Sequence, residues 1–297
     1  MAGPDSGDLL KFIICSRKKP GDTLDNYFYN WGIIHVALMV TSPVSMRVFK
    51  RYVQQYRVVE ATGADTVFPL SPEEWDSLAD HWLETVEDVK ACISEEDYLE
   101  RLRNHVFGDK AFQLLLTSGR VMWERDGFAS GGVKLIQWLK RPADMPFDAF
   151  DKHWKDVYGP TVLEAFRQTG ALRKYVQNPS LQLDPAIFVG TLFHHAGVGG
   201  YAGIEEFWFD DLDSMRAACR DVARATLIRD AAARFSDVDG AFSQVVMERV
   251  VFDFVSPGEL SPRPGLDDPH GLERRILDQG YKNWHVPPKN TVRTTTP

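Results

Sequence analysis

Residues Arg51-Tyr52-Val53-Gln54 and Lys174-Tyr175-Val176-Gln177 are nearly the same tetrapeptide, 123 positions apart. At the same spacing Trp31 falls on Trp154, so the match extends well upstream of the tetrapeptide. One shared tetrapeptide could arise by chance, whereas further matches in the same order could not easily do so. The pattern therefore predicts that the chain is a diverged tandem duplication.

Further along the chain the spacing between matching residues drifts by a few positions. His81-Trp82-Leu83 matches Phe207-Trp208-Phe209 at a spacing of 126, and Val121-Met122 matches Val246-Met247 at 125. Small drifts between matched blocks are typical of insertions in surface loops. They leave the order of the blocks unchanged, and the prediction of two repeats stands.

Each repeat has the pattern of strand, helix, strand, strand, helix, strand. This order is typical of a ferredoxin-like unit, in which two helices cover one face of a four-stranded antiparallel sheet. Two units can bury their other faces by packing together or closing into a barrel. The sequence predicts an α+β fold in which two tandem ferredoxin-like repeats (residues 8–125 and 131–255) form an intrachain pseudo-dimeric α+β barrel, followed by a Pro-rich C-terminal tail (256–297).

The predicted strands and helices follow from apolar runs, helical spacing and turn residues. In the first repeat we expect strands at 11–16, 51–59, 81–85 and 120–124. A first helix, capped by Asp22 or Thr23, carries Tyr27, Trp31 and His35, and a second covers 86–102. In the second repeat we expect strands at 133–139, 174–177, 204–209 and 244–253, with helices over 147–169 and 212–234. The Gly-rich segment 126–132 is the predicted link.

Composition and charge limit the classes of partner. Hydrophobic residues make up 44% and charged residues 26% of the 297 residues, as in ordinary globular proteins. The net charge of −8 argues against nucleic acid, and no apolar run is long enough to predict a membrane partner. Three widely spaced cysteines suit free thiols in a reducing compartment, and the start of the chain lacks the pattern of a secretory signal. We therefore expect a cytoplasmic protein.

Two predicted helical segments are Trp31-Gly32-Ile33-Ile34-His35 and residues 150–160 (FDKHWKDVYGP), and a predicted strand segment covers 200–212. These segments resemble the EthD family of the dimeric α+β barrel superfamily. The resemblance implies small enzymes that act without a cofactor on hydrophobic or aromatic molecules, including decarboxylases, dehydratases and cyclases. Relatives in the wider superfamily are monooxygenases, haem enzymes or hydroxynitrile lyases, so the fold does not fix the reaction.

The resemblance also implies a position for a functional histidine. The family's helix histidine corresponds to His35, whereas the second repeat has Tyr158 at that place. An imidazole titrates near neutral pH and can take and return a proton. We therefore name His35 as the candidate general base or acid, with Tyr158 and His81 as further catalytic candidates. The alternative for His35 is a core histidine hydrogen-bonded to a backbone carbonyl. For Tyr158 it is an aromatic ring that only fills the core, and for His81 it is a histidine that faces solvent.

Further aromatic and histidine side chains are candidates for contact with a substrate. Tyr27 and Trp31 lie on the same helical face as His35. Residues that recur in both repeats could equally be architectural. The full set of substrate-binding candidates is Tyr27, Trp31, Tyr52, Trp82, Trp154, Tyr175, His194, His195 and Trp208.

The pair His194-His195 does not predict a metal site. Neighbouring residues of a strand point to opposite faces, and no Cys or carboxylate stands at ligand spacing. We expect one of the two histidines to reach the cavity of the second repeat. Motifs for dinucleotides, for a nucleophile elbow and for a phosphate loop are absent from the sequence.

These residues predict an enzyme that needs neither cofactor nor metal and uses histidine acid–base chemistry. Its substrate would be a small hydrophobic molecule, aromatic or polyketide-like, and its reaction a lyase-type elimination, a decarboxylation or a cyclisation. One alternative is a cofactor-free monooxygenase of an electron-rich phenol. Another is a non-catalytic protein that binds a hydrophobic metabolite as an accessory to other enzymes. Pairing of the chain into a homodimer is left open.

Overall fold

The computed structural model describes residues 9–71, 75–103, 105, 107–129, 131–181 and 183–255. The predicted tail, 256–297, lies outside the described residues. Ten strands form one sheet: β1 Leu10–Ser16, β2 Arg51–Arg57, β3 Ser77–Leu83, β4 Gln113–Ser118, β5 Arg120–Glu124, β6 Val133–Leu139, β7 Leu172–Pro179, β8 Gly197–Val198, β9 Gly203–Phe209 and β10 Phe242–Asp253.

Helical segments follow the strands in the same order in both halves of the chain, which we call the first half (9–125) and the second half (131–255). The α-helices are α1 Leu24–Tyr29, α2 Val36–Val40, α3 Pro43–Val48, α4 Val86–Ser94, α5 Glu96–Arg103, α6 Phe147–His153, α7 Gly159–Arg167, α8 Leu212–Cys219 and α9 Val222–Ala232. The helices expected over 86–102 and 212–234 are each broken in two, because Glu95 takes an extended backbone and Asp221 caps a new helix.

The strand order has the arrangement that the sequence predicts for each half. In the first half the order is β2-β3-β1-β4, and in the second it is β7-β9-β6-β10, with antiparallel neighbours throughout. The sheet is closed by strands that pass from one half to the other. β10 pairs first with β6 and then with β2, while β4 pairs with β1 and β5 with β7.

Closure follows from the single residue Gly119, because it joins β5, at one end of the strand order, to β4, which lies at the other end beside the two-residue strand β8. The chain is thus an α+β barrel built by two halves, and the predicted fold class is confirmed. The origin of the halves by duplication, and the boundaries of the repeats, stay predictions.

The strand that closes the first half differs from the expected one. Lys134 pairs with Val246, and Lys11, its counterpart 123 residues earlier, pairs with Thr117. Thr117 therefore corresponds to Val246 at a spacing of 129, so the alignment at 125 was wrong. The β-rich stretch 120–124 looked like the end of the first unit because its partner, β7, belongs to the other half and cannot be inferred from local pattern.

Both halves contain a short π-helix at the same place. The first π segment is Asn30–His35, between α1 and α2, and the second is Trp154–Tyr158, between α6 and α7. Such insertions are rare and occur often at functional sites. His35 and Tyr158 are the last residues of their π segments, which gives these two positions equivalent places in the fold.

The two halves exchange connecting segments. Val67 and Phe68, between β2 and β3, are buried in the core of the second half, and Asp65 there pairs with Arg220 of α8's C-terminal end. In return Phe188 and Phe193, between β7 and β9, are buried in the core of the first half. Each core is thus completed by apolar side chains from the other half. Across the described residues, no helix has the length and hydropathy that a membrane crossing requires.

Candidate functional site

The first half contains a cavity of about 400 Å³ at the end of its π segment. Its apolar wall is formed by Leu102, Phe107 and Phe112, and the exchanged segment of the second half contributes Thr191 and Leu192. Asp109 and Lys110 add charged groups to the lining, so the cavity is suited to a small molecule with an apolar body and polar groups. Four histidines face the same cavity: His35, His105, His194 and His195.

His35 is half-buried where it lines the cavity. Its ring centroid lies 4.7 Å from that of Phe107 and 6.0 Å from that of His105. Its Nδ1 atom is buried and has no hydrogen bond partner among the described residues. Burial lowers the pKa of His35 to about 3, and the neighbouring His105 and His81 add to this. The imidazole is therefore neutral near pH 7 and can accept a proton.

His105 stacks beside His35, with its ring plane turned by 16° from that of His35. Its Nε2 lies 3.2 Å from the backbone carbonyl of Asn30, so this nitrogen donates. Burial lowers the pKa of His105, against the opposing effect of the Asn30 carbonyl. A donating Nε2 leaves Nδ1 as the acceptor of the neutral ring, which gives the cavity a second neutral imidazole.

His194 and His195 lie in a turn of the exchanged segment and not in a strand. Their rings are 4.6 Å apart at 80°, both are exposed, and both line the cavity of the first half. The expectation that one of them reaches the cavity of the second half was therefore wrong, because the segment crosses to the other half. In the parts of the chain that the structure describes, no group of three or more His, Cys, Asp or Glu is placed to hold a metal ion.

The equivalent position in the second half is closed by a hydrogen-bonded cluster on Glu205. Tyr158 and Tyr175 donate to its carboxylate at 2.9 and 2.8 Å, and Trp154 Nε1 donates at 3.1 Å. All four side chains are fully buried. Burial raises the pKa of Glu205 to about 7, against the opposing effect of these three donors. Tyr158, Trp154 and Tyr175 therefore do not line the cavity described above; they satisfy a buried carboxyl group.

Tyr27 and Trp31 belong to the packed core beneath the first π segment. The hydroxyl of Tyr27 lies 2.8 Å from Ser16 Oγ and 2.6 Å from Ser77 Oγ. The ring of Trp31 stacks on Tyr27 at 6.2 Å and meets Tyr56 edge-on at 5.0 Å. Both residues are fully enclosed, so they support the π segment and do not reach the cavity.

His81 and Tyr52 form a second aromatic pair in this core. Their ring centroids lie 4.5 Å apart, and the ring centroid of Phe49 lies 4.6 Å from that of His81. Burial lowers the pKa of His81 to about 3, although a backbone hydrogen bond with Phe12 opposes this. His81 is thus a neutral core ring near His35 and is not part of the cavity lining.

Trp82 and Trp208 lie on the other face of the sheet, inside the barrel. Lys11 lies 5.2 Å from the centroid of Trp82, and Lys134 lies 4.3 Å from that of Trp208. Both lysines bond to Glu206, Lys134 at 2.9 Å. Successive strand residues point to opposite faces, so these tryptophans cannot share the cavity with His35.

The sequence did not identify two residues: His105 of the candidate site, and Glu205 at the equivalent place in the second half. His105 follows α5 in a segment without a helix or strand pattern, so only the fold brings it to His35. Glu205 did leave a signal, because Glu205-Glu206 interrupts an otherwise apolar strand, GIEEFWF. A carboxylate pair in a buried strand requires partners on both faces, and this requirement could have identified it.

The architecture is that of the dimeric α+β barrel proteins, formed here within one chain. Residues 142–239, which lie within the second half, match the model of the EthD domain. The resemblance read from the sequence is thereby confirmed for that half. No curated protein sequence matches the chain.

Two solved structures are similar to the chain at low sequence identity. An anthrone oxidase-like protein superposes with a TM-score of 0.57 at 11% identity, over 85% of this chain and 97% of that one. A mutant chlorite dismutase from Candidatus Nitrospira defluvii has a TM-score of 0.44 at 11% identity, over 92% and 97% of the two chains. At these identities the likeness concerns the fold alone.

Proposed function

We propose that the chain is an enzyme that needs no cofactor and uses His35 to move a proton on a small hydrophobic substrate, aromatic or polyketide-like. The observation that carries this proposal is a neutral imidazole in a cavity of about 400 Å³ that has one apolar wall, with a buried ring nitrogen that lacks a hydrogen bond partner among the described residues. A buried polar atom without a partner costs about 1–3 kcal/mol, which a bound polar group would offset.

The chemistry begins with transfer of a proton from an acidic C–H or O–H of the substrate to His35. The resulting imidazolium lies beside the new substrate anion, and this opposite charge raises the pKa of His35 in the complex. The anion then expels a leaving group or attacks a carbonyl carbon of the same molecule, and the imidazolium returns its proton. Elimination and cyclisation both follow this course. In a decarboxylation His35 takes the proton of the substrate's carboxyl group, carbon dioxide leaves, and the carbanion takes that proton back from the imidazolium.

A second candidate is the reaction of the same anion with oxygen. The name of the anthrone oxidase-like protein, which shares the fold, favours this alternative. The substrate carbon would form a bond to oxygen, the oxygen molecule would be reduced to the peroxide level, and loss of water would leave a carbonyl group. In this course a methylene carbon and one oxygen molecule give a carbonyl and one water, so no external reductant is required.

The test is a screen of aromatic and polyketide-like compounds for binding and turnover, with oxygen uptake recorded. His35→Gln removes the proton acceptor while keeping a polar side chain of similar reach. We expect turnover to fall by roughly 100-fold or more while binding is retained within a few-fold. Oxygen uptake distinguishes the two reactions. Equal turnover in the variant would exclude His35 as the proton acceptor. Binding without turnover in the wild type would favour a non-catalytic protein that binds a hydrophobic metabolite.

A further inference from the structure

Two arginines occupy equivalent positions on the strands that cross between the halves. Arg249 of β10 pairs with Gln54 of β2, and Arg120 of β5 pairs with Gln177 of β7. Gln54 and Gln177 are themselves counterparts, 123 residues apart. Each arginine therefore reaches the π segment of the half to which its strand crosses.

Arg249 holds the first π segment by its backbone. Its Nη2 donates to the carbonyl of Gly32 and to Oε1 of Gln54, and its guanidinium lies 5.5 Å from the ring centroid of Tyr56. Gln54 in turn donates to the carbonyl of Trp31 at 3.1 Å. Two successive carbonyls of the π segment are thus tied to one guanidinium, directly and through Gln54.

The packing around this contact leaves little freedom for the π segment. Tyr56 donates its hydroxyl to Gln54 at 3.0 Å, and a Cβ atom at Gly32 would lie 2.4 Å from that hydroxyl oxygen. Only glycine fits at this point of the segment. His35, three residues further along, ends the segment at the cavity. The orientation of its ring therefore depends on where Arg249 holds Gly32.

The arginine of the second half is placed in the same way but is neutralised. Arg120 donates to Gln177 at 2.8 Å and lies 5.3 Å from the ring of Trp154, and it also bonds to the carboxylate of Asp151 at 2.9 Å. The counterpart of Asp151 is Phe28. Within the described part of the chain, Arg249 accordingly binds a carbonyl and an amide, and no carboxylate.

We propose that Arg249 is a positioning residue for the first-half site: the second half supplies the guanidinium that fixes the π segment and aims His35 at the cavity. The inference rests on the proposed role of His35. Its specific content is that one half of the chain completes the working site of the other half. Arg120 makes the corresponding contacts in the second half, where the residue equivalent to His35 is the buried Tyr158.

The test compares Arg249→Lys and Arg249→Met with the matched controls Arg120→Lys and Arg120→Met, all in the full chain. Lysine keeps the charge but loses the planar guanidinium that lies over the ring of Tyr56. The ring resonances of His35 are assigned by their loss in His35→Gln and recorded for each folded variant, beside kcat and KM. A thermal unfolding scan shows which variants are folded.

We expect both Arg249 variants to shift the His35 resonances and to lower kcat by roughly 10- to 100-fold, with KM within a few-fold of wild type. The Arg120 variants should leave both unchanged. Unaltered His35 resonances in Arg249→Lys, or an equal shift in Arg120→Lys, would overturn the inference. If neither Arg249 variant folds, Gln54→Met removes the hydrogen bond from Gln54 to the carbonyl of Trp31 instead, and the His35 resonances of that variant decide the question. A wild type without turnover defeats the proposed function, while the resonances still decide the positioning.

Discussion

His81 lies parallel to Tyr52, with ring centroids 4.5 Å apart and ring planes at 15°. The second half repeats this contact with Phe207 and Tyr175, at 4.5 Å and 10°. An imidazole thus occupies a place that a phenyl ring occupies in the other half. The stack explains why His81 is kept neutral, because its surroundings are built for an apolar ring.

The variant His81→Phe should fold and should be less sensitive to acid than the wild type. The pKa of His81 is about 3 in the folded chain against 6.5 when exposed. The unfolded chain therefore binds the proton first, and stability is lost as the pH falls below about 6.5. Near pH 4 the loss in the free energy of unfolding amounts to about 3 kcal/mol. The variant has no imidazole at this position and should not show this loss. Urea unfolding of both proteins at pH 7.5 and pH 4 measures it; equal losses would contradict the account.

The carboxyl group of Glu205 should make the wild type less stable at pH 7 than at pH 4.5. Its pKa is raised to about 7 from 4.5 by burial, so the folded chain holds the proton more tightly than the unfolded chain. Stability is then lost as the pH rises from about 4.5 to 7, by about 3 kcal/mol. Glu205→Gln removes the titration and keeps an oxygen for Trp154 and Tyr175, while its amide can donate to Tyr158. The variant should therefore gain stability relative to wild type between pH 5 and pH 8.

The equivalent position in the first half, 126 residues earlier, is Ala79, so no carboxyl group there contributes to this titration. Stability differences that follow pH equally in the wild type and in Glu205→Gln would show that Glu205 does not titrate in this range. Because Tyr158 donates to Glu205 and not to a ligand, we also expect Glu205→Gln to leave turnover within a few-fold of wild type.

The exchanged segments should affect the two halves differently. Phe193 packs edge-on against Phe112 at 5.2 Å and against Phe12 at 6.3 Å, beside the cavity wall. Phe193→Ala should cost roughly 3–5 kcal/mol of stability and should weaken ligand binding in the first half. Phe68→Ala, the matched change in the reciprocal segment, should cost a similar amount but leave binding unchanged. Loss of binding in both variants, measured below their unfolding temperatures, would argue against a first-half site.

The repeated pattern in the sequence was sufficient to predict the strand order, because matching blocks such as those around Tyr52 and Tyr175 fix equivalent strands. The closing strands were harder to predict. Gln113–Ser118 and Arg120–Glu124 are both local β patterns, and only pairing with the other half shows that the chain crosses at Gly119. Pairing between residues far apart in sequence leaves no local signal.

Only part of the site could be predicted from the sequence, again because some of its residues are brought together from distant parts of the chain. His35 was reached through the resemblance and its helical spacing, and the structure places it at a cavity. The predicted aromatic residues turned out to be divided between two cores and the barrel interior, since Tyr27 is bonded to two serines and Trp82 faces a lysine. Arg249 and His105 act through contacts with residues that are distant in sequence, so their identification required the fold.

The central claim is that the first half carries the chemistry through His35 while the equivalent Tyr158 is structural. The most direct measurement is single-turnover kinetics of wild type, His35→Gln and Tyr158→Phe, on whichever aromatic or polyketide-like compound binds. We predict a loss of roughly 100-fold or more in the chemical step for His35→Gln and a rate within a few-fold of wild type for Tyr158→Phe. A normal rate in His35→Gln together with a large loss in Tyr158→Phe would contradict the claim and move the active site to the second half.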